Sequence, residues 1–308
     1  MDFFVSFIIL NYNTSNLVVA CVDSIRKFVG DIQYEVIVVD NNSSKEEKQK
    51  LHVCLSDDTQ IIESRWNGGF GLGNMLGALF AKGDYYCFLN SDIELVEDCI
   101  TPLCNYLSSN KDVGVITPQQ LDGKGQRVKS FFHKSCIRHE LIGDSLYEWL
   151  YPSEYPNRKK QYNQPVSAFQ INGCFMLFDA QKFWEIGGFD ENIFLYMEEY
   201  DIGMRMRIKG WKCVCYPTLF FKHFGASSTK KIHKLPKRER YISKIYTYSK
   251  FHGILLSFIF RYIVILKLLV KPSKWYIIPS LVGGDTLAHS MRNKLWMKNK
   301  KNNSVRYV

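Results

Sequence analysis

The chain contains no CxxC pair. Its nine cysteines are scattered over 308 residues, and Cys213 and Cys215 stand too close together in a strand-like stretch to be half of a zinc site. Reduced thiols in a cytosolic protein are expected. No secretory leader is expected: "MDFFVSFIILNYN" opens with an acid at position 2, has no basic n-region and has too short an apolar run, so it reads as a first core strand. No G-x-G-x-x-G follows that strand, where "LNYNTSN" stands instead, and the glycines at 68, 69, 71 and 73 come later. This argues against a dinucleotide-binding dehydrogenase. There is no internal repeat, and no low-complexity tract before the C-terminal lysines. The longest apolar run, residues 254–270, is interrupted by Arg261 and Lys267, too short and too charged for a spanning helix.

Acids are scarce in one part of the chain only. Residues 230–308 hold 18 Lys/Arg against Glu239 and Asp285, a charge of +16, so the remainder sums to −6 within the total of +10. A mildly acidic body with a basic tail needs two explanations. Hydrophobic residues make up 46%, enough for a full core, which excludes disorder over most of the chain.

The first half alternates apolar runs of strand type with helix-like stretches, the pattern of an α/β domain with a mostly parallel sheet. Residues 4–10 and 35–39 read as strands around a helix over 16–29, whose Leu17, Val18, Cys21, Ile25 and Phe28 fall at helical spacing. A glycine-rich turn at 67–73 leads into a helix over 74–81, then a strand at 85–89, a helix near 99–107 and a strand at 113–117. Residues 120–165 read as a less regular insertion. Order returns over 169–178, with helices at 180–186 and 198–209 and a strand near 211–216.

Ligands of parallel α/β sheets sit beyond the carboxyl ends of the strands. Those ends are Asn11, Tyr12 and Asn13, then Asp40, Asn41 and Asn42, then Asn90, Ser91 and Asp92, all polar and none basic. Asp40 suits the donor groups of a base or ribose, although "DNNSS" is also good Asx-turn sequence. Asp92 suits Mg²⁺ or Mn²⁺, with diphosphate oxygens and water completing the shell, or serves as an ordinary cap. A second cluster, "GGFDENIFLYMEEYDIGMRMRIKGW", puts Glu198, Glu199 and Asp201 in the first turn of a helix beside Asp190 and Glu191. The helix dipole alone favours acids there, yet one of them is also placed to act as a general base. Arg205 reads as the i,i+4 partner of Asp201, and His223 follows an apolar run as a candidate metal or phosphate contact.

In order and spacing, "FIILNYN", "VIVVDNNSS", "NGGFGLGN", "FLNSD", "INGCFML", the acidic cluster and "HFGASS" resemble the inverting glycosyltransferases of family 2, in particular the bacterial rhamnosyltransferase-like branch. The resemblance covers roughly residues 4–230. It implies a GT-A fold, a nucleotide-sugar donor and a divalent metal. By resemblance, Asn11, Asn13, Asp40, Asn42, Asn67, Gly69, Asn90 and Ser91 line the donor side, with Asp40 on base and ribose. Asp92 and His223 hold the metal, one acid standing where the family has D-x-D. The Glu198-Glu199 pair matches the family's E-D motif, with Glu199 favoured over Glu198 as base. Gly173, Asp201 and Trp211 are expected on the acceptor side.

On a helix, Lys250, Ser257, Arg261, Lys267 and Lys271 fall in one arc of roughly 120°, with apolar residues filling the rest. Residues 231–308 are therefore expected to be a helical extension lying on an anionic membrane, with a helix packed on the body as the alternative. Together with the resemblance this implies a peripheral enzyme on the inner face of a bacterial membrane. It would move rhamnose or another hexose from a dTDP- or UDP-sugar to a polyprenyl-diphosphate-linked glycan. A nucleotidyltransferase lacks its basic loop here, and a basic-tail nucleic-acid binder would not explain the acids; no nucleic-acid partner is expected.

Overall fold

The computed structural model describes residues 3–134, 136–225 and 234–292. The last residues of "HFGASS", the expected domain boundary at 230 and the lysines beyond 292 lie outside them. The first half runs β1 (Phe4–Asn11), α1 (Ser15–Phe28), β2 (Gln33–Asp40), α2 (Lys45–Cys54), β3 (Thr59–Glu63), α3 (Gly69–Ala78), β4 (Tyr85–Asn90), β5 (Ile93–Leu95), α4 (Ile100–Ser109) and β6 (Val113–Leu121). The insertion carries β7 (Phe131–Phe132), α5 (Ile137–Ile142) and α6 (Asp144–Leu150), and β8 (Val166–Ala168) and β9 (Gln170–Ile171) follow it. Then come β10 (Phe175–Asp179), α7 (Ala180–Glu185), α8 (Glu198–Ile208) and β11 (Lys212–His223), followed by α9 (Lys234–Phe251), α10 (Ile254–Leu269) and α11 (Pro279–Val282).

One sheet organises the body, in the order β3-β2-β1-β4-β10-β6-β11-β5 with β8 also on β11. Strands β1 to β4 pair in parallel, as do β6 and β11, while β10 runs antiparallel between β4 and β6. The inner strands are covered on both faces, which is why β1 and β4 read as nearly unbroken apolar runs. On one face α1 buries Val18, Cys21, Val22 and Ile25, one stripe of its surface. On the other α3 lies very close to the sheet: a Cβ on Gly73 would stand 2.4 Å from Leu10 Cδ1, so only glycine permits that approach. Helix α2 and strand β3 escape the sequence pattern because α2 buries only Leu51 and is otherwise charged; its start is fixed by Ser44, whose side chain accepts from the Glu47 amide.

Strand β11 runs well past the expected 211–216. It bends at an irregularity between Tyr216 and Phe220 and continues to His223, where β5 pairs with it antiparallel. All nine cysteines are free.

The C-terminal helices pack on the body. Lys250 at the end of α9 bridges Asp190 at 2.7 Å and Asp201 at 2.6 Å, and Ser243 Oγ donates to the Leu195 carbonyl at 3.0 Å. The residues of the cationic arc fall on two helices, Lys250 on α9 and Ser257, Arg261 and Lys267 on α10. Lys267 reaches the Glu140 carboxylate and carbonyl, and Arg261 donates to the Gly283 and Gly284 carbonyls, so these cations point to the protein. Phe260, Val264 and Leu268 are buried against α9 and the following turn, while Ile254, Leu255, Phe258, Tyr262, Leu266 and Leu269 face outward. Charges bound to fixed carbonyls and a carboxylate decided the face, and a pattern of residue types does not reveal such partners. Among the described residues no helix is long and apolar enough to cross a membrane; the 16 residues of α10 span about 24 Å.

Candidate active site

Sheet topology gathers the polar strand ends on one edge. Asn11 Nδ2 donates to Asp40 Oδ2 at 2.8 Å and to Ser43 Oγ at 3.1 Å, while Asn11 Oδ1 accepts from the Thr14 amide at 3.1 Å. Thr14 Oγ1 continues to Ser91 Oγ at 3.0 Å. The Ser43 amide donates to Asp40 Oδ1 at 2.9 Å, the Asx turn that "DNNSS" suggests. Asp40 is fully buried within these bonds, with Lys48 Nζ at 3.8 Å, so in this conformation its carboxylate fastens two strand ends and does not face a ligand. Tyr12, Asn13 and Asn42 are exposed on this half, and the two asparagines are at positive φ, 55° and 65°. Asn13 Oδ1 caps the Ser44 amide at 2.8 Å, which ties the two turns together.

Asn67 Oδ1 accepts from the Gly69 amide at 2.9 Å and from Asn41 Nδ2 at 3.0 Å. Gly69 has φ 81°, and a Cβ there would meet the Phe194 carbonyl oxygen at 2.1 Å; the Phe70 amide donates to that same carbonyl at 2.8 Å. The glycine turn is thus stitched to the segment that delivers α8. That segment ends in two left-handed residues, Tyr196 (φ 69°) and Met197 (φ 75°). Holding non-glycine residues there costs on the order of 1–3 kcal/mol each, strain of the kind found where side chains are aimed for use.

The residues so aimed are Glu198 and Glu199. Glu198 is 5% exposed; burial, then the neighbouring Glu199 charge, pushes its carboxyl far above the usual range. Glu199 is half-buried. Burial raises it too, offset in part by its backbone N–H and by the Arg240 guanidinium of α9, which stacks over Tyr196 at 4.4 Å. A Cβ on Gly173 would lie 3.5 Å from Glu199 Oε2, so the backbone of that residue borders the carboxylate. Glu199 combines access with a raised affinity for protons, the pairing a general base needs.

Two other acceptor-side expectations are corrected. Asp201 is fully buried, held by Arg205 and Lys250, and serves to anchor α9. Trp211 precedes β11 at the amino end of the sheet, beside Gly114, opposite the edge that carries Asp92. Asp190 is likewise occupied by Lys250 and Tyr246 Oη.

On the far side of β4, Asp92 and His223 meet because β5 pairs with the end of β11. His223 Nε2 lies 3.1 Å from Asp92 Oδ1, and its Nδ1 is 3.0 Å from Gln120 Nε2. Gln120 Oε1 in turn takes Asn172 Nδ2 at 2.5 Å. Gln120, Asn172 and Arg240 were missed in the sequence, although "PQQL" ends a strand and the strand-end rule applied to β6 would have found Gln120. The segment 172–174 joins the two centres. Asn172 contacts the Gln120 that steadies His223, Gly173 borders Glu199, and the buried Cys174 thiol is pushed up by burial and by both Asp92 and Glu199. The Cys174 carbonyl also accepts from the Asn90 amide at 2.9 Å.

A divalent ion suits the Asp92–His223 pair. One carboxylate oxygen and one imidazole nitrogen 3.1 Å apart match the edge of an octahedron with bonds of roughly 2.1 Å. Among the described residues no third Asp, Glu, His or Cys joins them, so the remaining ligands would come from substrate and water.

The model of the family "Glycosyl transferase family 2" matches residues 6–187. The chain belongs to that family. Among curated relatives, an N-acetylglucosaminyl-diphospho-decaprenol L-rhamnosyltransferase of Mycobacterium tuberculosis is 27% identical over 210 residues, covering 63% of this chain and 67% of the relative. A low-salt glycan biosynthesis hexosyltransferase of Haloferax volcanii is 29% identical, over 56% and 53%. The match to human polypeptide N-acetylgalactosaminyltransferase 10, 24% identical over 58% of this chain, spans only 30% of that protein. Two solved structures share the fold. GalNAc-T7 with UDP, GalNAc and Mn²⁺ has a TM-score of 0.57 at 16% identity, over 80% of this chain and 50% of that one. A Pyrobaculum calidifontis mannosyltransferase with GDP-Man and Mn²⁺ has 0.57 at 13%, over 99% and 82%. The family 2 chain thus has the GT-A-like α/β fold that its sequence resembles.

Proposed function

We propose that this family 2 protein is an inverting, divalent-metal-dependent glycosyltransferase that moves a hexose, with rhamnose as first candidate, from a dTDP- or UDP-sugar to a hydroxyl of a polyprenyl-diphosphate-linked glycan. The observation that carries the reading is the segment 172–174, which touches both the Asp92–His223 side and Glu199, so that a sugar lying across it is reached by both. Asn67, Asn90 and the Asn13–Asn42 turn border the donor. Glu199 takes the proton of the acceptor hydroxyl as that oxygen attacks the anomeric carbon from the face opposite the leaving nucleotide, and one displacement inverts the centre. Glu198 is buried, which leaves the more accessible Glu199 as the base. A metal held by Asp92 and His223 would supply Lewis-acid neutralisation of the leaving diphosphate.

The outward apolar face of α10, with Trp275 beside it and Lys271 at its end, supports a helix lying in the interface of an anionic bilayer, on the cytoplasmic face of a bacterial membrane. Apolar insertion through this face, and not the cationic arc, is the contact proposed.

Nucleotide release from a panel of dTDP-, UDP- and GDP-sugars, with Mn²⁺ or Mg²⁺ and membrane lipid extract, tests the activity. Turnover of one donor that requires metal, Asp92 and Glu199 and yields the inverted anomer is expected. Equal turnover in Asp92→Asn and Glu199→Gln would refute the site.

A further inference from the structure

The cationic loops of the 120–165 insertion have no role in the site above. They close a cavity of about 880 Å³ at the carboxyl end of β6, whose inner wall is Gln120 and Asn172 and whose outer wall includes Arg127, Lys129 and Lys159. No carboxylate lines it. Arg158, also in the wall, is spent on Asp144 and Glu148. The others are not: among the described residues no acid pairs with Arg127, Lys129 or Lys159, and Arg127 only stacks on Phe220 at 4.9 Å. Cations lining one cavity with no acid among them, in a body of net negative charge, make a local positive potential that attracts an anion. The inner wall fixes the location. Gln120 contacts His223 and Asn172 precedes the Gly173 that borders Glu199, so a ligand filling this cavity ends at the reacting centre.

The donor half of the edge, at β1, β2 and β4, is elsewhere along the sheet, separated by β10. We propose that this cavity is an anion subsite for a phosphate or diphosphate carried by the acceptor, placed so that the phosphate lies near the attacking hydroxyl. This rests on the transferase reading, and it adds that the acceptor glycan is short, its charged group entering beside Glu199.

The full-length protein, in EDTA to exclude metal-bridged binding, is titrated calorimetrically with inorganic phosphate and with farnesyl diphosphate. Saturable binding is expected, weakened at least about tenfold in Lys129→Gln/Lys159→Gln and restored by the paired Lys→Arg variant. Tighter binding of the farnesyl ester names a lipid diphosphate as the source, and equal binding names a phosphate group as such. Binding of neither, or the same binding in the double Gln variant, overturns the subsite. In parallel, donor turnover is divided between water and lipid-extract acceptor; the ratio of transfer to hydrolysis should fall roughly tenfold in the double Gln variant, and a rise in donor KM instead would also overturn it. Donor turnover without phosphate binding refutes this inference alone. Phosphate binding without turnover of any donor refutes the transferase reading.

Discussion

The two halves of the sheet edge are built on opposite principles. At β1, β2 and β4 the polar residues satisfy one another: Asn11, Asp40, Ser43, Thr14 and Ser91 form a closed network without an open cation, and Asn41 and Asn67 lock the glycine turn. Beyond β10, at β6 and β11, the edge is open and carries unpaired cations held by an irregular insertion. The first half is preorganised, and in the proposed reaction a bound ion would have to manage the phosphate charge there. The second supplies fixed positive charge itself. Between them stand Asp92, His223 and Glu199.

Substitutions at that boundary should have the largest effect. Glu199→Gln should lower transfer by roughly 10²–10⁴-fold, the usual worth of a positioned base, with donor affinity kept, whereas Glu198→Gln should cost far less. Single-turnover transfer with a donor titration separates the two. Asp92→Asn should reduce turnover by about 10²–10³-fold and raise the Mn²⁺ concentration for half-activity; an unaltered metal requirement would move the ion to other residues. Next in size, Asp40→Ala should cost about 2 kcal/mol or more in chemical denaturation, because the buried Asn11 amide and Ser43 N–H lose their acceptor. If stability holds while donor binding fails, Asp40 turns outward on binding and the donor half is less preorganised than described. Outside the boundary, Leu255→Asp/Phe258→Asp on α10 should weaken sedimentation with anionic vesicles at least about tenfold and leave the fold intact.

The smallest expected effect concerns pH. Burial raises Glu199 above the ordinary carboxylate range, so the base is lost to protonation as pH falls through that raised value, and the acid limb of kcat/KM should lie higher than for an exposed glutamate. Arg240→Met removes a cation that lowers it, so the limb should move further up; a downward move would show that Arg240 is not facing Glu199. Stability has the opposite sign. A carboxyl with a folded value above its unfolded one favours the fold below the unfolded value, and that contribution is lost as pH rises through the folded one.

Much of this was legible in the chain itself. Strands buried on both faces announce themselves as apolar runs, and their polar ends mark the edge, which is how Asp92 and the Asp40 turn are found without coordinates. Acids in the first turn of α8 and the i,i+4 pair of Asp201 with Arg205 are local facts and hold. Distant pairings are another matter. That His223 meets Asp92 depends on β11 running past its bend to join β5; that α10 turns its cations inward depends on Glu140 and the Gly283 carbonyl, more than 100 and about 20 residues away in sequence.

The α/β frame, the family and the residue types at the strand ends can be read from the residues in order, because periodicity and turn chemistry act over a few neighbouring residues. It took the fold to show that Asp201 is buried and held by Arg205 and Lys250, that Trp211 stands at the opposite edge of the sheet, that Glu199 is the accessible member of its pair, and that loops 30 residues apart close one basic cavity. Those outcomes depend on burial and on charges brought together through the fold, which no local pattern encodes.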